Sequence, residues 1–196
     1  KIFPRNFSYE EAAGFSVASQ TAYVSLVERA NIIEGQTILI LGAAGGVGLA
    51  AIQLANAIGA KVIAICSTKS KQEIAIKAGA KYALGYDNMI KEVAEITEKE
   101  GVDVIYDPIG GEYFLNALKT IKWGGKILIV GFASGSIPSL PINIPLIKGI
   151  SVLGVRAGEY FRKYPNLKKP AMNKILNIAN KGLITPLPYD LPFTTF

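Results

Sequence analysis

The chain has 196 residues, 50% of them apolar and 18% charged, with 21 Lys+Arg against 15 Asp+Glu, a formal charge of +6 and no His. That composition is globular, because disorder goes with low hydrophobicity and more charge, and the length suits one domain with a small appendage at about 150 residues per domain. Without His there is no Ser-His-Asp triad, Cys-His dyad or imidazole metal ligand, and the lone Cys66 can form neither an internal disulfide nor a zinc thiolate cluster.

A reducing, cytoplasmic setting fits that cysteine usage. The opening KIFPRNFSYEEAA has no apolar signal core and no Met, so the N-terminus reads as a cut point within a longer protein. Ser8-Tyr9-Glu10-Glu11 has the spacing of a capping box. It predicts a first helix, followed by a second over about Ser16 to Ala30. Gly35 to Ala60 carries no charge over 26 residues. Its five glycines from Gly35 to Gly48 and its polar Gln36, Thr37, Gln53 and Asn56 favour a buried strand, a tight turn and a buried helix over a membrane span.

A rhythm then sets in. Apolar, β-branched runs begin at Thr37 (TILIL), Lys61 (KVIAI), Lys81 (KYALG), Val102 (VDVIY) and Lys126 (KILIV), with starts 24, 20, 21 and 24 residues apart. Each gap holds one helix-like segment, the pattern of right-handed βαβ crossovers and a parallel sheet. The joints IleGlyAlaLys at 58–61 and AlaGlyAlaLys at 78–81 place a helix-ending glycine two residues before a strand. TILIL and KILIV are apolar without alternation, as in strands covered on both faces. A sixth strand is predicted at Ser151–Val155 after a Pro-rich crossover, and a helix over Asn166 to Lys181. The sum is an α/β fold: a doubly wound parallel six-stranded sheet (Rossmann fold) with helices on both faces, its ligand crevice at the carboxyl ends of the strands.

After the first strand comes Gly42-Ala43-Ala44-Gly45-Gly46-Val47-Gly48, opening a helix. A strand before and a helix after are the context a dinucleotide fingerprint requires. Its three glycine positions fall at 43, 45 and 48, and position 43 is Ala, a departure. Gly45 lets the backbone approach a pyrophosphate, Gly48 lets helix pack on strand, and the helix start suits an anion. No Gly-Lys-Ser/Thr follows, so this is not a Walker loop. The plain alternative is a glycine-rich turn that only packs closely.

Where NAD binders place an acid for the ribose, 19 residues beyond Gly48, stands Ser67. The run Ser67-Thr68-Lys69-Ser70-Lys71 offers hydroxyls and ammoniums to a phosphate, which favours NADPH. Alternatively, Lys69 and Lys71 are ordinary solvated residues of a first helical turn.

These stretches resemble the cofactor domain of zinc-independent medium-chain dehydrogenase/reductases, and within them the NADPH:quinone oxidoreductase family. TILILGAAGGVGLAAIQLANAIGAKVIAICSTKSK carries most of the likeness. ThrAlaTyr at 21–23, GVDVIYDPIGG at 101–111, GGKILIVGFASG at 124–135 and the Pro141–Lys148 pattern add to it. The turn Ala43, Ala44, Gly45, Gly46 and Val47 is the expected pyrophosphate site, and the resemblance implies that Lys71 and Tyr86 are the pair around the 2′-phosphate, beside the hydroxyls of Ser67 and Thr68. It also implies that Asp107, Ile109 and Gly110 border the cofactor, that Gly131, Phe132 and Ala133 back the nicotinamide, and that Thr21 lies near it. From the residues alone, Tyr86 is equally a packed aromatic, Asp107 a loop cap and Cys66 a small buried hydrophobe.

On this resemblance residues 1–30 are a helical lead-in from a catalytic domain absent from the sequence, 31–183 the dinucleotide domain and 184–196 a truncated return segment. The implied reaction is hydride transfer from NADPH to a quinone or similar electron-poor small molecule. An enoyl- or acryloyl-thioester reductase and a non-catalytic nucleotide-binding module are the alternatives. No catalytic or metal-binding residue is assigned within the chain. The dispersed positive charge argues against nucleic acid as a partner, and the apolar edge near Ser151–Val155 predicts a homodimer.

Overall fold

A computed structural model describes residue 4 and residues 7–185. Helix α1 (Tyr9–Tyr23) starts on the anticipated capping box: the Ser8 hydroxyl accepts from the Glu11 amide at 3.2 Å, and the Glu11 carboxylate accepts from the Ser8 amide at 2.7 Å. The chain does not break into two helices as expected. It runs through Gly14 and continues as a π-helical segment, Val24–Arg29, in which Ala30 N bonds Ser25 O. A single mid-helix glycine costs only about 1 kcal/mol, and burial of Phe15, Ala22, Tyr23 and Leu26 outweighs it.

The sheet then builds outward from β1 (Thr37–Ile40), through α2 (Gly46–Ile58), β2 (Lys61–Ile65), α3 (Lys69–Lys77) and β3 (Tyr82–Leu84). The chain crosses back through α4 (Met89–Ile96) to β4 (Val102–Asp107), then α5 (Gly111–Leu118), β5 (Ile121–Ile129), α6 (Asn143–Lys148) and β6 (Ser151–Gly154). Helices α7 (Ala157–Lys163) and α8 (Pro165–Asn180) follow. All six strands are parallel in the order β3-β2-β1-β4-β5-β6. This is the doubly wound sheet the sequence predicts. Its order reverses between β1 and β4, the point at which sheets of this kind take a ligand at the strands' carboxyl ends.

Successive strand residues point to opposite faces, so each unbroken apolar run supplies two cores. Ile38, Ile40, Val62, Ala64, Val104 and Tyr106 join the core that also holds α1, α2 and α8 residues. Leu39, Leu41, Ile63, Ile65 and Ile105 join the opposite core with Met89, Val93 and Phe114. The anticipated glycine joints are present: Gly59 closes α2 at φ 91° and Gly79 follows α3 at φ 109°.

Three elements differ from expectation. Strand β5 begins at Ile121, ahead of KILIV, with an irregularity opposite Val102/Val104 that Gly124 absorbs at φ 75°. Helix α6 lies inside the Pro-rich crossover, with Pro145 in its first turn, where a missing amide costs little. Helix α7 is stopped by Pro165, which also opens α8, a residue before the anticipated start. Thr185 is held by Gln53 through bonds of 2.7 and 3.1 Å. The rest of the anticipated return segment lies outside the described residues. Among these residues no helix is long and apolar enough to cross a membrane, and the uncharged stretch resolves into β1, a turn and α2.

Candidate functional site

The glycine turn leaves β1 at the reversal point of the sheet. Three consecutive amides anchor it: Leu41 N donates to Tyr106 O on β4 (3.0 Å), Gly42 N to the Tyr86 hydroxyl (3.0 Å) and Ala43 N to Ile65 O on β2 (3.1 Å). Gly42 adopts φ 57°, and a Cβ there would meet Ile109 Cδ1 at 2.5 Å. The departure at Ala43 is thereby explained. The left-handed step that the first fingerprint glycine would take is made one residue earlier, by Gly42, while Ala43 is buried. Gly48 packs the helix onto the turn so closely that a Cβ would lie 2.6 Å from Gly42 O.

Gly45 N closes the turn onto Gly42 O at 3.0 Å, and Leu49 N bonds back to Gly45 O. The amides between them, of Gly46, Val47 and Gly48, have no acceptor among the described residues, as the first turn of a helix leaves them. Gly45 and Gly46 are exposed, a Cβ at Gly46 would meet nothing within 4 Å, and α2 carries no acid in its first turn. Donors, helix dipole and open space together suit an anionic diphosphate.

Beyond β2, Thr68 caps α3 by accepting from Lys71 N at 3.3 Å. Lys71 Nζ lies 3.2 Å from Ser67 Oγ, and the Thr68 and Ser70 hydroxyls are 3.1 Å apart. All of these residues are exposed, and Lys71 is in no ion pair among the described residues. Three hydroxyls and an unpaired ammonium thus share one corner. Next to it Cys66 is buried, and burial pushes its thiol pKa up against the opposing influence of the Ala44 backbone and the Lys71 charge.

The loops after β4 and β5 are laced together. Asp107 is buried, and its Oδ1 accepts from the amides of Ile109 and Gly110 at 2.8 Å each. Burial raises its carboxyl pKa, and the two amides pull it back down. Its loop-capping role is therefore directly visible. Ala133 N and Ser134 N donate to Pro108 O and Ile109 O, both at 3.0 Å, and the Gly131 amide donates to Asp107 O. Phe132 remains 40% exposed beside Gly110, whose hypothetical Cβ would lie 2.8 Å from its ring. Ile109, Gly110, Gly131, Phe132 and Ala133 are therefore one wall, joined to the glycine turn through Ile109.

Thr21 is half-buried on α1 and is not joined to that wall by a hydrogen bond: its hydroxyl donates to Val17 O. Its carbonyl accepts from Ser25 Oγ at 2.6 Å. The phenol of Tyr106, buried beneath the turn, donates to Val47 O at 3.4 Å. Sequence reasoning passed over Gly42 and Tyr106 as parts of the site. A glycine at a strand's end was the signal available for Gly42; the Tyr106 link needs the fold.

The known family model for zinc-binding dehydrogenases matches residues 46–173. The quinone oxidoreductase-like protein 2 homolog of Nematostella vectensis is 40% identical over 182 residues, covering 91% of this chain and 50% of that protein. The chain belongs to the medium-chain dehydrogenase/reductase superfamily and is quinone oxidoreductase-like. Among solved structures, the Escherichia coli quinone oxidoreductase complexed with NADPH superposes with a TM-score of 0.84 at 30% identity, over 94% of this chain and 57% of that one. The CurK enoyl reductase gives 0.85 at 27% identity, over 96% of this chain and 57% of that one.

The chain thus spans about half the length of the curated relatives it matches and corresponds to their NAD(P)-binding domain. Zinc does not fit these residues. The chain has no His and one buried Cys, and among the described residues no three His, Cys, Asp or Glu side chains gather to hold a metal.

Proposed function

We propose that the chain is the NADPH-holding domain of an oxidoreductase that reduces a quinone or a similar electron-poor small molecule. The observation that carries this reading is the pairing of two features at one sheet edge: amides without acceptors at the glycine turn, and the carboxylate-free Ser67-Thr68-Ser70-Lys71 corner after β2. A charge-assisted hydrogen bond to phosphate contributes about 1.5–3 kcal/mol, so one such contact to a 2′-phosphate gives a tenfold or larger preference over NADH.

When bound, NADPH supplies a hydride from its nicotinamide ring. This chain's residues do the holding. Gly46 and Val47 amides meet the diphosphate, Ala43, Ala44 and Gly45 shape the turn beneath it, and Ser67, Thr68 and Lys71 meet the 2′-phosphate. Asp107 fixes the loop of Ile109 and Gly110, so that this loop and Gly131-Phe132-Ala133 flank the cofactor toward its nicotinamide end, with Thr21 farther along α1. In this reading residues 31–183 form the dinucleotide domain, and the substrate side of the cleft is built largely by residues other than these. No residue here is assigned the proton transfer. The edge strand β6, with Val152 40% exposed, pairs with a second copy.

The likeness to an enoyl reductase supports a second reading, an alkene conjugated to a carbonyl as acceptor. Turnover of a quinone against an enoyl thioester by the full-length protein decides between them. NADPH oxidation with the quinone preferred is expected. Preference for the thioester selects the second reading, and tight NADPH binding without turnover on either points to a non-catalytic module.

A further inference from the structure

Only four of the chain's 21 Lys+Arg are arginines, and Arg29, Arg156 and Arg162 come together at one place. A groove of about 360 Å³ lies between the π-helical segment Val24–Arg29, the end of β6 and helix α7, with Glu28, Arg29, Arg156, Glu159, Tyr160 and Lys163 in its lining. Its two carboxylates are already engaged. The Tyr160 hydroxyl donates to Glu28 Oε2 at 2.8 Å, and Glu159 accepts from Nε and Nη2 of Arg162 at 2.8 Å each. Its cations are not: Arg29, Arg156 and Lys163 form no ion pair among the described residues. One bond, Arg29 Nε to Gly154 O at 3.2 Å, steadies the first guanidinium and leaves its Nη donors over. In a chain that otherwise uses lysine, two arginine forks in one groove favour a bound oxyanion, whose geometry the planar guanidinium matches.

The groove is separate from the dinucleotide corner. From β2, where that corner lies, to β6 is four strand spacings, roughly 19 Å. Its neighbour is the wall assigned to the nicotinamide end: Val155 N, one residue before Arg156, bonds Ile129 O at 2.8 Å, two residues before Gly131. We propose that this groove holds a phosphate group belonging to the carrier of a thioester acceptor. The inference rests on the cofactor reading above, which sets the nicotinamide end at Gly131-Phe132-Ala133. One guanidinium fork satisfies a carboxylate. Two forks and an ammonium suit the higher charge of a phosphate. The rings of Tyr160 and Tyr164, with centroids 5.1 Å apart, add an aromatic face for the rest of the carrier. An uncharged quinone has no use for these cations, whereas a conjugated thioester on coenzyme A does. The groove thus gives the second acceptor class its binding determinant.

The test is calorimetric titration of the full-length protein, saturated with NADPH so that the glycine turn and the Lys71 corner are filled. The titrants are coenzyme A, inorganic diphosphate and octanoate. Coenzyme A is expected to bind, diphosphate to bind more weakly and octanoate not to bind. Arg156→Gln and Lys163→Gln change exposed side chains, and each is expected to weaken coenzyme A about 5- to 20-fold. Lys169→Gln, an exposed cation of α8 outside the groove lining, is expected to change it less than about twofold. Absence of coenzyme A binding overturns the inference, as does binding that neither groove variant weakens or that Lys169→Gln weakens equally. Diphosphate binding as tightly as coenzyme A overturns the carrier assignment, and Arg156-dependent binding of octanoate overturns the choice of phosphate. If the protein does not bind NADPH, the cofactor reading fails, and the effect of the groove variants on coenzyme A alone still decides the site.

Discussion

Gly48→Ala tests the packing that brings the glycine turn and α2 together. A Cβ at Gly48 would lie 2.6 Å from Gly42 O, 2.7 Å from Ala43 O and 2.8 Å from the Ala43 carbonyl carbon. All three are backbone atoms that cannot rotate aside, so α2 must back away until the shortest contact approaches the 3.4 Å of ordinary packing. Overpacking of this kind costs about 1–3 kcal/mol. Gly46→Ala is the matched control: it lies in the same helical turn, and its Cβ would meet nothing within 4 Å. Both variants gain the same helix propensity, about 1 kcal/mol, so the difference between them isolates the clash. Urea unfolding should place Gly48→Ala about 1–3 kcal/mol below Gly46→Ala, a gap of roughly 2–10 °C in Tm for a chain of this size. The displaced helix start should also weaken NADPH and NADH together. Equal stability of the two variants would refute the close-packing account of the turn.

Asp107→Ala leaves the amides of Ile109 and Gly110 without an acceptor and should cost about 2–4 kcal/mol by urea midpoint at pH 7. Asp107→Asn keeps an oxygen acceptor and should lose much less. Because burial raises the folded-state pKa of Asp107, ionising it opposes folding. Its contribution is therefore most favourable below the ordinary aspartate range and is lost as pH rises through the raised value. The stability gap between parent and Asp107→Asn should shift in favour of the asparagine over that window, and a gap that is flat with pH contradicts the assignment. Val152→Lys puts a charge on the exposed edge strand and should convert a dimer to monomer in light scattering; a parent that is already monomeric at high concentration removes that proposal.

What the sequence made legible depended on local signals. Continuous apolar runs such as TILIL, with glycines at 59 and 79 ending helices two residues ahead of strands, carry strand positions and parallel order in a few neighbouring residues. The capping box at Ser8 was legible for the same reason. The misses were of two kinds. Short or proline-bearing helices, α6 and α7, lack the length over which helical periodicity accumulates. The start of β5 is set by its pairing with β4 across a glycine-absorbed irregularity, which no local pattern encodes.

The candidate site divides the same way. The glycine turn and the Ser67–Lys71 run are contiguous and could be read directly. That Gly42 replaces the expected glycine at 43 follows from φ and from Ile109 packing against it. That Tyr86 and Asp107 spend their polar atoms on backbone amides follows from contacts between chain segments. Residue type alone offered both residues as ligands and as scaffolding, and the fold reveals the scaffolding bonds.

The most direct measurement is calorimetric titration of this chain and its Lys71→Ala variant with NADPH and NADH. The account predicts that the parent prefers NADPH by tenfold or more and that Lys71→Ala erases most of that preference while leaving NADH affinity nearly unchanged. A parent that binds the two equally, or a variant that loses both in proportion, contradicts it.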